Sequence, residues 1–233
     1  SGDSTYRQLA FTEGWTVSKI KRMGASAVKL MVYYHPDTGA LAEELEETIR
    51  QVAQECQRYD IPLFLEPMSY SLQAGVPKES AAFAETRPQV VRETARRLGG
   101  LGADVLKLEF PVDVAFNQDR SLWRAACAAI SEVCPIPWVL LSAGVDFEVF
   151  EEQVRIACET GASGFLAGRA IWKEAVVMSP EERQRFLATT AVERLKRITD
   201  IASRLARPWT DFYASTASSD SWFKSYDDLL AEA

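Results

Sequence analysis

Histidine is close to absent: the 233 residues hold one, His35, in Tyr33-Tyr34-His35-Pro36. Zinc hydrolases and lyases draw two or three ligands from histidine, so a zinc site assembled from this segment is not expected, and no metal or other cofactor is implied. Cysteine is also scarce. Cys56, Cys127, Cys134 and Cys158 are far apart, three of them inside helix-like patterns. They offer neither metal-ligand spacing nor a disulfide framework and read as reduced core thiols. Positive charge is not in excess: 26 basic against 33 acidic residues leave a net charge of -7, with no basic block. A nucleic-acid partner is therefore not expected, although a small anion can still bind locally. Long apolar runs are missing too. The longest are strand-sized and no charged-then-apolar leader opens the chain, so neither a membrane partner nor a secretory signal is expected, and a cytoplasmic setting is.

What is present is alternation. Short runs rich in Val, Leu and Phe, from Val28 to Tyr34, Leu63 to Glu66, Val105 to Phe110, Val139 to Leu141 and Phe165 to Ala167, lie between amphipathic stretches. They read as buried parallel strands, spaced as βα units of about 30 or more residues require. Between them, Leu41, Leu45, Ile49, Ala53 and Cys56 form one helical stripe, with Glu43, Glu44, Glu46 and Glu47 opposite. A second helix is expected to begin near Pro88 and stop at Gly99-Gly100. A third is expected from about Ser121 to Val133, and a fourth from an N-cap at Asp146 to Gly161. Beyond the last strand, Ile171 to Val177 and Pro180 to Leu205 read as helices, the latter with the stripe Phe186, Val192, Leu195, Ile198 and Ile201.

Strict β-α alternation makes the chain α/β, either a closed (β/α)8 TIM barrel or an open doubly wound sheet. Strands of an open sheet would be apolar on both faces, yet Lys29, Glu66 and Lys107 sit inside strands, which favours the barrel. Five strands cannot close one, so this chain is expected to carry only the last five βα units, with roughly three earlier strands missing. The opening Ser-Gly-Asp, without methionine, fits a processed start or a segment of something longer. Residues 1–210 are taken as the partial barrel and 211–233 as a Ser/Thr/Asp-rich tail that can dock Trp222, Phe223 and Tyr226.

Lys107 is the first candidate for chemistry. Val105, Lys107 and Glu109 share one strand face, opposite the apolar Leu106, Leu108 and Phe110 that suit helix packing. A lysine pointing into a barrel is desolvated, which lowers its pKa and frees the amine to attack a ketone. The competing reading is a buried pair with Glu109. Lys29 faces the same way as Met31 and Tyr33, either as a second cation in that cavity or as a salt-bridge partner of Glu66. Glu66 ends its strand where barrel active sites form and is either an acid-base group or a structural carboxylate. Two small-residue turns, Leu141-Ser142-Ala143-Gly144 and Leu166-Ala167-Gly168-Arg169, follow the last strands, where such barrels frequently bind phosphate. His35 reads as a loop residue more than a base.

These motifs resemble one family. Ala27-Val28-Lys29-Leu30 with Tyr33-Tyr34, Phe64-Leu65-Glu66-Pro67, Asp104-Val105-Leu106-Lys107-Leu108-Glu109 with Pro111-Val112, Leu141-Ser142-Ala143-Gly144-Val145, and Ala167-Gly168-Arg169-Ala170 with Trp172 occur in order. Together they are similar to the class I tagatose 1,6-bisphosphate aldolases and the related class I sulfofructose-phosphate aldolases, over nearly all of Gly14 to Leu205. The resemblance implies a (β/α)8 barrel lyase that forms a Schiff base without metal, with Lys107 as the imine lysine and Glu66 as acid-base group. Lys29 would be a polar contact, and Ser142, Gly144, Gly168 and Arg169 the phosphate contacts. It implies cleavage of a ketose 1,6-bisphosphate to dihydroxyacetone phosphate and glyceraldehyde 3-phosphate. The alternatives are a sulfonated sugar phosphate, or a non-catalytic sugar-phosphate-binding remnant, because the family's first strands have no counterpart. The expected partner is the phosphorylated ketose, and a homo-oligomer is left open.

Overall fold

Valine and leucine alternate with Lys, Met and Tyr along Val28–Tyr33, and the strand formed there, β1, buries Val28, Leu30 and Val32 while exposing Lys29, Met31 and Tyr33. That alternation is the two-residue period of a strand with two unlike faces. The computed structural model describes residues 7–214 and residue 220. Its further strands are β2 (Leu63–Met68), β3 (Val105–Leu108), β4 (Trp138–Leu141) and β5 (Phe165–Leu166), all parallel and neighbouring in chain order. Between them run α2 (Ala40–Arg58), α3 (Ala81–Leu98), α4 (Arg120–Val133) and α5 (Phe147–Glu159), after a short α1 (Val17–Arg22). Sequential parallel strands joined by helices are the arrangement of consecutive units of a (β/α)8 barrel. Among the described residues, β1 and β5 pair on one side only.

The helices cover the outward sheet face. Leu63, Leu65, Leu106, Leu108 and Leu140 from the strands meet Ile49, Val91, Leu98, Ile130 and Val154 from the helices, all nearly or fully inaccessible to solvent. Each such leucine contributes roughly 1.5–3 kcal/mol by burial. All four cysteines are buried and unbridged, and burial pushes the Cys127 and Cys158 thiols up to about 12. None of the described helices is long and apolar enough to cross a membrane.

Three helix boundaries differ from the sequence expectation. The second long helix does not begin near Pro88: α3 starts at Ala81, where Phe83 N donates to the Ser80 hydroxyl, and Pro88 lies inside it. An interior proline costs about 3 kcal/mol. Capping at Ser80 and burial of Phe83, 3% exposed, offset much of that cost. The helix does stop at Gly99, where a Cβ would stand 2.6 Å from Pro135 Cδ, so the close approach of Pro135 requires glycine. The stretch from Pro180 to Leu205 is two helices, α7 (Pro180–Ala188) and α8 (Thr190–Leu205). They break at Thr189, whose backbone leaves helical geometry (φ -118°, ψ -79°) while its N–H and its hydroxyl both donate to Arg185 O, at 3.0 and 2.8 Å. Within α8, Ile198 and Ile201 are buried, whereas Val192 and Leu195 are 42% and 47% exposed. The helix expected from Ile171 begins earlier, as α6 (Arg169–Trp172), and tightens to a 3-10 turn over Lys173–Val177.

Of the tail, Tyr213 docks by donating its hydroxyl to Asp104 O at 2.6 Å. Trp222, Phe223 and Tyr226 lie outside the described residues.

Candidate active site

The strand register assembles the centre of the site. Met31 is level with Glu66, and Lys107 with Val139. Continuing the β2–β3 register one step past Leu65 and Leu106 sets Glu66 beside Lys107. All of these side chains belong to the inward face. Lys107 Nζ lies 3.0 Å from Glu66 Oε1, and Lys29 Nζ pairs with the other oxygen, Oε2. The Glu66 side chain is 10% exposed, Lys107 18% and Lys29 50%, so the trio runs from the sheet toward open space.

Burial alone would push the Glu66 carboxyl up, but hydrogen bonds and charge from Lys29 and Lys107 outweigh it and hold the group below its ordinary 4.5. Glu66 is therefore an ionised base at neutral pH, in direct contact with an amine. Such a pair can take a proton from a substrate hydroxyl while the amine carries a covalent bond.

Glu109, the competing partner for Lys107, is occupied elsewhere. Its buried carboxylate accepts from Ser69 N at 2.7 Å and Ser69 Oγ at 2.6 Å, pairs with Lys78, and lies 3.9 Å from Arg87. Arg87 in turn reaches Asp113 at 3.6 Å. This network ties the segment after β2 to the end of β3. Burial lowers the Lys78 pKa, and the charge of Glu109 opposes that. Lys78 and Arg87 were not anticipated; they stand on a loop and a helix with no motif around them.

The two turns also meet. Ala143 and Gly144 have φ of +48° and +84°, which folds the backbone back sharply after β4. A Cβ on Gly144 would sit 3.3 Å from Arg169 Cζ and Nε, so glycine suits the positive φ and leaves room for the guanidinium lying over it. Gly168 N donates to Ser142 Oγ at 3.4 Å and Arg169 Nη2 to Ala143 O at 3.5 Å. A sharply turned backbone under an arginine is suited to a phosphate. Asp146 occupies the N-cap position of α5 as expected, but its carboxylate takes Lys173 Nζ at 2.6 Å instead of a backbone amide, and Lys173 also donates to Gly144 O at 3.1 Å. Lys173 is a second unanticipated brace of this turn.

A cavity of about 750 Å³ has walls that include Arg7, Tyr33, Lys78, Glu109, Leu141 and Arg169, while Lys29, Glu66 and Lys107 are not among its lining residues. It occupies the C-terminal ends of the strands, where barrel sites form. His35 is not part of it. It is 7% exposed, its Nδ1 accepts from Asp37 N at 3.2 Å, its ring meets Tyr70 edge-on, and burial pushes its pKa down. Among the described residues, no group of three or more His, Cys, Asp or Glu side chains is arranged to hold a metal.

Comparison with known proteins agrees with this architecture. A family model described as DeoC/LacD family aldolase matches residues 1–174. The tagatose 1,6-diphosphate aldolase of Lactococcus lactis subsp. lactis is 32% identical over 226 residues, covering 89% of this chain and 69% of that protein. The enzyme of the same name from Listeria monocytogenes serotype 4a is 30% identical, covering 87% and 65%. The chain thus spans about two thirds of the length of these relatives. A crystal structure of an archaeal fructose 1,6-bisphosphate aldolase shares the fold with a TM-score of 0.58 at 21% identity, over 84% of this chain and 67% of that one. A Schiff base-forming fructose-1,6-bisphosphate aldolase does so with a TM-score of 0.55 at 22% identity, over 81% and 66%.

Proposed function

The chain belongs to the DeoC/LacD aldolase family, and from that premise we propose that it acts as a class I aldolase on a ketose 1,6-bisphosphate, with Lys107 as the imine-forming residue. The observation that carries this reading is the Glu66 carboxylate, held ionised between Lys29 and Lys107 and 3.0 Å from the Lys107 amine. The names of the relatives support tagatose 1,6-bisphosphate as the substrate.

In the cleavage direction the Lys107 amine attacks the C2 carbonyl of the open-chain ketose, and loss of water leaves an iminium. Glu66 takes the proton of the C4 hydroxyl as the C3–C4 bond breaks. The bonding pair moves into the iminium to give an enamine, and glyceraldehyde 3-phosphate departs. Glu66 is placed to return the proton to C3. Water then hydrolyses the imine, releasing dihydroxyacetone phosphate and the free amine. Lys29 keeps Glu66 ionised and offers a donor to substrate oxygens, while Ser142, Gly144, Gly168 and Arg169 hold the C1 phosphate. Reduced, unbridged thiols support a cytoplasmic setting for this carbohydrate chemistry.

The test is release of dihydroxyacetone phosphate from tagatose 1,6-bisphosphate in the presence of EDTA. We expect EDTA to leave the rate unchanged and Lys107→Met to abolish it. EDTA-sensitive release overturns the reading. Saturable ligand binding without any turnover identifies a sugar-phosphate-binding protein instead.

A further inference from the structure

Arg7 belongs to no helix or strand, yet its guanidinium lies 4.1 Å from the centroid of the Tyr33 ring and 5.8 Å from that of Tyr70. Tyr33 is on the inward face of β1, and Arg7 and Arg169 line the same cavity of about 750 Å³. Cavities of that size accommodate an extended phosphorylated ligand.

Two other cations of that cavity, Lys78 and Arg87, differ from Arg7 in being paired with carboxylates. Lys78 is neutralised by buried Glu109, and Arg87 lies against Glu109 and Asp113. Arg169 covers the turn at Gly144. Among the described residues Arg7 has no carboxylate partner; aromatic faces hold it instead. Stacking fixes a guanidinium without consuming its in-plane N–H donors, so an arginine held this way keeps both charge and fork for an anion.

The register gives its position relative to the chemistry. Lys107 is level with Met31, and Tyr33 is the next inward residue of β1, about 7 Å further along at roughly 3.3 Å per residue. β1 lies two strands to one side of β3 and β5 two strands to the other, each about 10 Å away. Lys107 therefore stands between Arg7 and Arg169. A ketose bound through C2 to Lys107, with its C1 phosphate toward Arg169, extends its far end toward β1.

We infer that Arg7 is a specificity-determining contact for the tetrahedral anion on C6 of the ketose, phosphate or sulfonate, across the cavity from the Arg169 turn. The inference rests on Lys107 being the imine lysine, and its test separates the two.

Three ligands are compared on the protein and on Arg7→Ala and Arg7→Lys: a ketose 1,6-bisphosphate, the 6-sulfonated 1-phosphate, and the 1-phosphate with a plain C6 hydroxyl. Calorimetric affinity and the half-saturating concentration for borohydride trapping are measured for each. For at least one C6 anion, Arg7→Ala is expected to weaken binding on the order of 10- to 100-fold, the worth of one charge-assisted contact. The C6 hydroxyl compound should change less than about threefold, and Arg7→Lys should restore part of the loss. Whichever anion shows the larger loss is the one Arg7 reads. Selective loss of affinity without any trapped adduct supports the Arg7 assignment while the imine reading fails. Equal weakening of all three ligands, unchanged binding of all three, or no binding by the unsubstituted protein overturns it.

Discussion

The two faces of the same sheet obey different rules. Outward, Leu63, Leu65, Leu106 and Leu140 are completely buried and belong to the apolar core shared with the helices. Inward, Lys29, Glu66 and Lys107 share one face of the sheet, bear ionisable groups, and remain 10–50% accessible. One face excludes water and specifies the fold. The other spends stability on a cluster that a well-packed apolar core would match or exceed. Inward substitutions should therefore abolish chemistry while sparing the fold, and outward substitutions should do the reverse.

The largest effect is expected at Lys107. Lys107→Met should eliminate product release and any reducible adduct, while its far-UV spectrum and thermal transition remain those of the unsubstituted protein. Glu66→Gln comes next: loss of an acid-base group lowers kcat by about 10²- to 10⁴-fold, read in single-turnover assays, with imine formation retained. On the outward face, Leu106→Ala should cost roughly 2–5 kcal/mol in a urea titration, with kcat unchanged wherever the protein stays folded. The smallest effect is at Lys29. The pair is half exposed on the lysine side, so Lys29→Met should change stability by about 1 kcal/mol or less. Its signature is in pH dependence instead. The Glu66 pKa is depressed in the folded protein, so its ion pairs stabilise fully above the ordinary 4.5 and that contribution disappears as pH falls through the lower folded value. Removing Lys29 should move both that loss and the acid limb of kcat to higher pH, and an unmoved limb would show that Lys29 does not act through Glu66.

The outward face was the legible one. Alternation along Val28–Tyr33 and the stripe from Leu41 to Cys56 identify strand and helix because burial writes its period directly into sequence. The αβ succession and the family resemblance agree with the fold and with the family matched. Lys29, Glu66 and Lys107 were noticed as candidates because charge inside a strand violates that period. What escaped notice depends on partners distant in sequence. Glu109 could not be separated from Lys107 as a pair until Lys78, 31 residues away, was seen beside it. Lys173 lies 29 residues from the carbonyl of Gly144 that it braces. Pro88 reads as a helix start in sequence because its preference for first turns is local, whereas the packing of Phe83 that extends α3 is not. The break at Thr189 is one residue's departure from helical backbone angles, which periodicity does not register.

The contrast between the faces reduces to which lysine carries the covalent bond. Borohydride reduction in the presence of tagatose 1,6-bisphosphate or dihydroxyacetone phosphate, followed by peptide mass mapping, reads this directly. The expected result is one adduct, on Lys107, and none in Lys107→Met. An adduct on Lys29 or Lys78, or none under saturating ligand, would contradict the assignment of the inward face to imine chemistry at Lys107.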